Sequence, residues 1–392
     1  LWALTSKRRA QMGRVIRFAP SSAETHCFNP LDKQFLNPIL EKSMSHIEQI
    51  GTMLIKEEGK DDTKVDHWIR GARNLFKMYT MYLIWKNGET TLPLVRKLSL
   101  SDPEPQELLH DIIESDGDDM PEELKLLFNK NAGMQEKEFG SVHSTMSGFL
   151  DIFADPDIKR TFSKCDFTIA EIRENITTVY LHVPVIEIQR LNSLISMFLE
   201  ITGNFILSNP DKGKGRVLFL LDEFAWLGRM PSMIKLPSLS RGEGGSVVFV
   251  CQSYSQIEQL YGKTAVDTLK DTVAYRMILP QNNEDTAESI AKAIGDETRV
   301  RTSTSHQSGK VGVSTSKSGE GHKLIRAQEL LSMNEMDCII LAQNHFQTPI
   351  KAKQCRWYLD KNMKNLGGKT DLKFNMEKDS SDQEKNNMEH VA

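Results

Sequence analysis

The chain has 392 residues, 39% of them hydrophobic, which allows two or three domains with a sizeable buried core. Its 49 basic and 53 acidic side chains leave a formal charge of −4, excluding a surface that coats nucleic acid wholesale while leaving room for a local basic channel. The five cysteines, Cys27, Cys165, Cys251, Cys338 and Cys355, show no C-x-x-C spacing, so neither a zinc site nor a disulfide framework is indicated, and buried reduced thiols are expected.

Residues 4–12 read as a helix carrying Lys7, Arg8 and Arg9, followed by a short strand over 15–18 and the segment Phe28-Asn29-Pro30-Leu31-Asp32. From 37 to 155 the pattern is helical almost throughout, because 46–56 and 67–85 place apolar residues at three- and four-residue spacings and no strand-like alternation appears. We read an inserted all-helical domain there. Its aromatic stripe Trp68, Phe76, Tyr79, Tyr82 and Trp85 reads as core packing in preference to a base-stacking platform. Residues 101–123 carry ten Asp or Glu and no Lys or Arg, broken by Pro103, Pro105, Gly117 and Pro121. This segment is a solvated acidic loop and helix, or a docking surface for basic cargo or an adaptor, and it repels DNA phosphates locally.

Beyond it, a strand over 178–183 ends at Pro184, a helix covers 187–207, and a Gly/Lys turn leads to the strand 217–221. No run of about 18 or more uninterrupted apolar residues is found, so no membrane span is expected within the chain. Parallel strands with helical crossovers are the economical arrangement. The apolar run Val217-Leu218-Phe219-Leu220-Leu221 delivers Asp222 and Glu223 at its C-terminal end, where open α/β sheets bind ligands. In a nucleoside triphosphatase of this pattern the first carboxylate holds Mg²⁺ and the second orients or deprotonates the attacking water; a capping acid that opens the next helix gives the same letters. A second apolar strand, 246–251, ends in Gln252-Ser253, where Gln252 reads either as a γ-phosphate sensor or as a cap of the next turn. A strand over 273–279, a helix over 284–294 and a polar stretch over 302–321, either a mobile loop or an exposed hairpin, complete the ordered part, and the residues from 366 onward read as a flexible tail.

Taken together, the strand ending in Asp222-Glu223-Phe224, the Leu227-Gly228-Arg229-Met230-Pro231 turn, Arg241 before a Gly-rich segment, and Gln252-Ser253 with Gln256 and Tyr261-Gly262 resemble the type IV secretion coupling proteins. The likeness extends from Phe28-Asn29-Pro30 and Asp66-His67-Trp68 to the strand 337–341, over roughly residues 1–362. A phosphate cradle of the form G-x-x-x-x-G-K-[ST] is not in the chain; Gly262-Lys263-Thr264 and Gly368-Lys369-Thr370 have Ile257 and Met363 where the leading Gly belongs, and Gly309-Lys310 is followed by Val311. The family carries this cradle and its membrane helices upstream of the segment that begins at Leu1, so the chain reads as the C-terminal portion of a longer ATPase, inactive by itself.

The resemblance implies an α/β, RecA-like parallel-sheet nucleotide-binding domain, residues 1–36 and 156–362, with an inserted all-α domain, 37–155, and a flexible polar tail, 363–392. It implies a P-loop-type ATPase using ATP and Mg²⁺, with Asp222 on Mg²⁺, Glu223 activating water, Gln252 sensing, and Arg241 reaching a neighbouring subunit's nucleotide in a homo-oligomer, a hexamer. The implied partners are type IV secretion channel components, with a DNA/relaxase complex or protein effectors and adaptors as cargo, at the cytoplasmic face of the bacterial inner membrane. The alternatives are a non-catalytic adaptor or scaffold for secreted effectors derived from such an ATPase, and a DNA-pumping ATPase of the cell-division or viral-packaging kind, against which the helical insert and the Leu-Gly-Arg turn speak.

Overall fold

The computed structural model describes residues 1–56, 66–208, 215–239, 242–306, 313–345 and 348–366. The chain divides into two compact units that meet in sequence at Val250 and Cys251.

In the first unit, β1 (Arg14–Phe18) and β2 (Thr177–Leu181) pair in parallel, as do β3 (Val217–Leu221) and β4 (Gly245–Phe249). Parallel neighbours need long crossovers, and here these are helical: many helices separate β1 from β2, Ile188–Ser208 separates β2 from β3, and Pro231–Leu239 separates β3 from β4. Gly13 sits where the chain enters β1 and admits no side chain, since a Cβ there would lie 1.8 Å from the carbonyl oxygen of Ile176. The core forms around Phe18, which stacks on Phe198 at 4.7 Å and meets Phe28 and Phe162 edge-on at 6.0 Å. Each such ring pair adds about 0.5–1.5 kcal/mol beyond simple burial, so this cluster fixes β1 against the helix Ile188–Ser208.

Between Leu40 and Thr161 the described residues form helices and turns. The central helix, His67–Asn87, buries Leu75, Phe76, Met78 and Tyr79 and stops at Gly88, whose φ of 77° suits a left-handed C-terminal residue. Gly71 lets it approach the helix Glu136–Leu150, where a Cβ would come within 2.7 Å of Val142. Phe76 and Tyr79 from the aromatic stripe are fully buried, as core packing requires, while Trp68 stays exposed. In the acidic segment the helix Pro105–Asp116 turns Glu107, Asp111 and Glu114 to solvent. Asp116 accepts hydrogen bonds from Lys86 Nζ and Tyr82 Oη, both at 2.7 Å, which hold its carboxyl below the usual range.

One stretch departs from the sequence expectation. Val185–Ser208 is long and apolar enough to cross a membrane by length and composition, yet most of it is buried inside the protein, as in the core helix of a globular domain. The sequence test missed it because Asn192, Ser193 and Glu200 interrupt the apolar run.

The second unit contains β5 (Tyr275–Ile278), a hairpin of β6 (Asp296–His306) and β7 (Val313–Lys323), and then β8 (Asp337–Ala342) and β9 (Ile350–Lys353). β8 pairs antiparallel with both β5 and β9, so β5 belongs to an antiparallel sheet. Ile278, Ile339 and Leu341 from this sheet pack on Ile290 and Ile294 of the helix Glu284–Ile294 and on Leu330. Asn283 caps that helix by accepting the Thr286 N–H at 2.8 Å, and Gly295, at φ 86°, ends it. The polar stretch 302–321 takes the hairpin form where it is described; residues 307–312 lie outside the described residues, as do residues 367–392 of the expected tail. All five cysteines are free, but only Cys27 and Cys338 are fully buried; burial pushes the Cys27 thiol up to about 11 and the half-buried Cys165 up to about 12.

Candidate functional site

The parallel pairing of β3 with β4 ends at Leu221 and Phe249. Two further hydrogen bonds extend the seam: Val250 donates its N–H to the Leu221 carbonyl at 3.0 Å, and Phe224 donates to the Val250 carbonyl at 2.9 Å. The seam thus passes from Leu221 to Phe224 and leaves Asp222 and Glu223 outside it. These two residues form a turn at the C-terminal tips of two parallel strands, with Asp222 exposed and Glu223 half-buried.

Glu223 adopts φ 49° and ψ 49°, the left-handed region that side chains other than Gly, Asn and Asp seldom occupy. Its neighbour holds it there. Phe224 is completely buried and packs edge-on against Phe249 at 4.7 Å. The Trp226 N–H then closes the turn onto the Glu223 carbonyl at 2.8 Å. A residue forced into left-handed backbone between a strand end and a buried aromatic has its side chain aimed by the main chain, and such strain gathers at functional sites.

The Leu227-Gly228-Arg229-Met230-Pro231 turn follows directly. Gly228 has φ 85° and ψ −179°, a conformation essentially restricted to glycine, and it lies against Asn192 of the helix Ile188–Ser208. Met230 is fully buried, and Pro231 opens the helix Pro231–Leu239 at a position where its missing N–H is no loss.

Of the four residues singled out in the sequence, the structure brings Asp222 and Glu223 together at the strand tip. Gln252 belongs to the second unit, where its side chain is exposed. The cap of the next helix, Tyr254–Tyr261, is supplied by Ser253, whose hydroxyl accepts the Gln256 N–H at 3.4 Å, so the capping role falls to the serine and not to Gln252. Arg241 lies outside the described residues. The Gly-rich segment after it is anchored by a residue that periodicity could not reveal: Arg173, 5% exposed, donates from Nη2 to the Glu243 carbonyl at 2.6 Å, and its own carbonyl accepts the Gly215 N–H at 3.2 Å. In Gly262-Lys263-Thr264 only Gly262, at φ 83°, lies between two helices, and Lys263 and Thr264 open the second of them.

Among the described residues no cluster of three or more His, Cys, Asp or Glu side chains could hold a metal by itself. Two adjacent carboxylates without a third protein ligand suit Mg²⁺ that keeps waters and takes its remaining ligands from phosphate oxygens.

The model of the type IV secretory system conjugative DNA transfer family matches residues 1–380. The chain is 28% identical over 374 residues to protein VirD4 of Agrobacterium fabrum, covering 93% of this chain and 54% of VirD4. It is 26% identical over 326 residues to the conjugal transfer protein TraG of Escherichia coli, covering 77% of this chain and 50% of TraG. It therefore spans about half the length of these relatives. Its fold matches that of the plasmid coupling protein TrwB in complex with the non-hydrolysable ATP analogue ADPNP, with a TM-score of 0.64 at 16% identity, over 86% of this chain and 73% of TrwB. TrwB in complex with ADP and Mg²⁺ gives a TM-score of 0.60 at 15% identity over the same shares. The α/β, RecA-like nucleotide-binding fold and the match along nearly the whole length establish that this chain belongs to the coupling proteins of type IV secretion and conjugative DNA transfer.

Proposed function

We propose that this chain is the greater part of the motor of a coupling ATPase, which recruits DNA–protein or protein substrates and drives them into a type IV secretion channel by hydrolysing ATP. The observation that carries the proposal is the Asp222-Glu223 turn, two carboxylates at the C-terminal tips of parallel strands with the second in left-handed backbone. Bound ATP with Mg²⁺ supplies the scissile phosphoanhydride and the charge that makes it cleavable. Asp222, exposed and acceptor-only when ionised, holds the cation. Glu223, half-buried and fixed by its backbone, orients the attacking water and accepts its proton. Gln252 reports the state of the γ-phosphate, and Arg241 stabilises transition-state charge at a neighbouring subunit's nucleotide, which requires a homo-oligomer, best read as a hexameric ring.

In this reading residues 1–36 and 156–362 form the nucleotide-binding domain, 37–155 form an all-helical insert that engages cargo, and 363–392 form a polar tail. The ring works at the cytoplasmic face of the inner membrane, with channel components, a DNA/relaxase complex or protein effectors and adaptors as partners. The TrwB complexes with ADPNP and with ADP and Mg²⁺ support the choice of ATP and Mg²⁺.

The test is Glu223→Gln in the complete protein. The variant is expected to bind ATP with ordinary affinity and to lose turnover by about 10²- to 10⁴-fold, the span of general-base catalysis. Wild-type turnover in the variant refutes the assignment, and a complete protein without any turnover favours a scaffold for effectors.

A further inference from the structure

The helix Ile188–Ser208 presents Asn192, Ser196, Glu200 and Gly203 on one face, at spacings of four, four and three residues, and this face runs along the turn that follows the two carboxylates. Asn192 lies against Gly228. Ser196 Oγ accepts from Lys56 Nζ at 3.2 Å, and the same ammonium reaches the Arg229 carbonyl at 3.4 Å. Glu200 Oε1 accepts the Ser232 N–H at 3.0 Å. At Gly203 a Cβ would stand 2.4 Å from Met233 Cε, so the missing side chain leaves room for Met233 of the helix Pro231–Leu239.

Glu200 is the titratable member of this face, 7% exposed and unused by the hydrolysis chemistry. Burying a carboxylate is costly unless it is well hydrogen-bonded or paired. Here its partner is an N–H that no residue of the recipient helix can satisfy: Ser232 lies in the first turn, where backbone donors lack intrahelical acceptors, and Pro231 ahead of it has no N–H to share the site. Burial pushes the Glu200 carboxyl above its ordinary value, while Ser232, the Lys56 ammonium, the Met233 N–H and the positive end of the helix dipole favour its charged form.

We propose that Glu200 is a positioning residue for the carboxylate turn. Its carboxylate pins the start of Pro231–Leu239, and through Gly228, Arg229 and Met230 that pin sets where Asp222 and Glu223 stand at the strand tip. The inference rests on the assignment of Glu223 to water activation.

The experiment compares steady-state ATP turnover and thermal unfolding of the complete protein carrying Glu200→Ala, Glu200→Asp, Glu200→Gln or Glu223→Gln. Glu200→Asp withdraws the carboxylate by one methylene, whereas Glu200→Gln keeps an oxygen in place to accept the Ser232 N–H. Glu200→Ala and Glu200→Asp are expected to lower kcat about 10- to 100-fold with KM for ATP unchanged, as a misplacement on the order of 1 Å does, and Glu200→Gln to stay within about twofold of wild type. Wild-type kcat in Glu200→Asp, or a Glu200→Gln variant as impaired as Glu200→Ala, overturns the proposal; should Glu200→Ala fail to fold, the Asp and Gln variants decide alone. Full turnover in Glu223→Gln refutes the catalytic assignment itself and the positioning role with it, whereas an inactive Glu223→Gln beside an unaffected Glu200→Asp refutes Glu200 alone.

Discussion

Replacing Gly228 by Ala tests how the turn beyond the carboxylates is held. The backbone there has φ 85° and ψ −179°, while the nearest atoms to a new Cβ would be Asn192 Cβ and Cγ at 3.4 and 3.5 Å. Those contacts are ordinary, so the penalty comes from the backbone and not from a clash, and a residue held in this glycine-only region costs of order 1–3 kcal/mol. For a unit of this size, about 2 kcal/mol lowers Tm by roughly 4–8 °C. Thermal unfolding followed by circular dichroism measures the shift. Gly140→Ala is the internal control: it lies within the helix Glu136–Leu150, is exposed, and a Cβ there meets nothing within 4 Å, so it is expected to stabilise by about 0.5–1 kcal/mol. If Gly228→Ala and Gly140→Ala both unfold at or above the wild-type temperature, the strain argument at Gly228 is wrong.

Phe224→Ala removes a fully buried ring and its contact with Phe249, and is expected to cost about 3–5 kcal/mol in urea unfolding; an unchanged midpoint would show that the ring is not an anchor. Arg173→Met deletes the charged donor to the Glu243 carbonyl and is expected to lower stability by about 1.5–3 kcal/mol by the same assay, with no change counting against the clamp. His46 and His143 are each hydrogen-bonded through Nε2 to a carbonyl, of Pro30 and Ser99, at 2.8 Å, and burial lowers both pKa values from 6.5. A depressed folded pKa favours the neutral ring, so the stability it contributes is complete above about pH 6.5 and is lost as pH falls through the lowered folded values. Urea midpoints of wild type should therefore decline with acidification below about pH 6.5, and the double variant His46→Gln with His143→Gln should flatten that decline; parallel curves would exclude the two imidazoles as its source.

Much of the first unit was legible because its signals are local. The strand Val217–Leu221 has the bounds read from the sequence, since an apolar run that ends on two charges can bury only its apolar part. The helix His67–Asn87 showed its face through three- and four-residue spacings, and the two most central aromatics, Phe76 and Tyr79, are the buried ones. What stayed hidden is relational. A four-residue strand such as Tyr275–Ile278 carries no mark of direction, so its antiparallel pairing with β8 could not be read. Ser253 and Gln252 both have a side-chain oxygen, and only the geometry assigns the cap to the hydroxyl. Glu200 was visible as a lone carboxylate in an apolar helix, but its partner, the Ser232 N–H, lies 32 residues away and comes from the main chain, which leaves no trace in composition.

The carboxylate turn shows how a short loop can aim a side chain through its main chain. Left-handed backbone at Glu223 costs roughly 1–2 kcal/mol, and full burial of the adjoining Phe224 returns roughly 1.5–3 kcal/mol, so the strain is offset one residue away from the group that bears it. Fixing Glu223 through the main chain leaves the orientation intact while the chemistry proceeds. The same division recurs down the turn, where Gly228 is held by its φ and ψ, Met230 by burial and Ser232 by Glu200, and none of these supports calls on Asp222. Loss of any one support should therefore misplace the two carboxylates, which predicts variants that bind nucleotide and turn it over slowly.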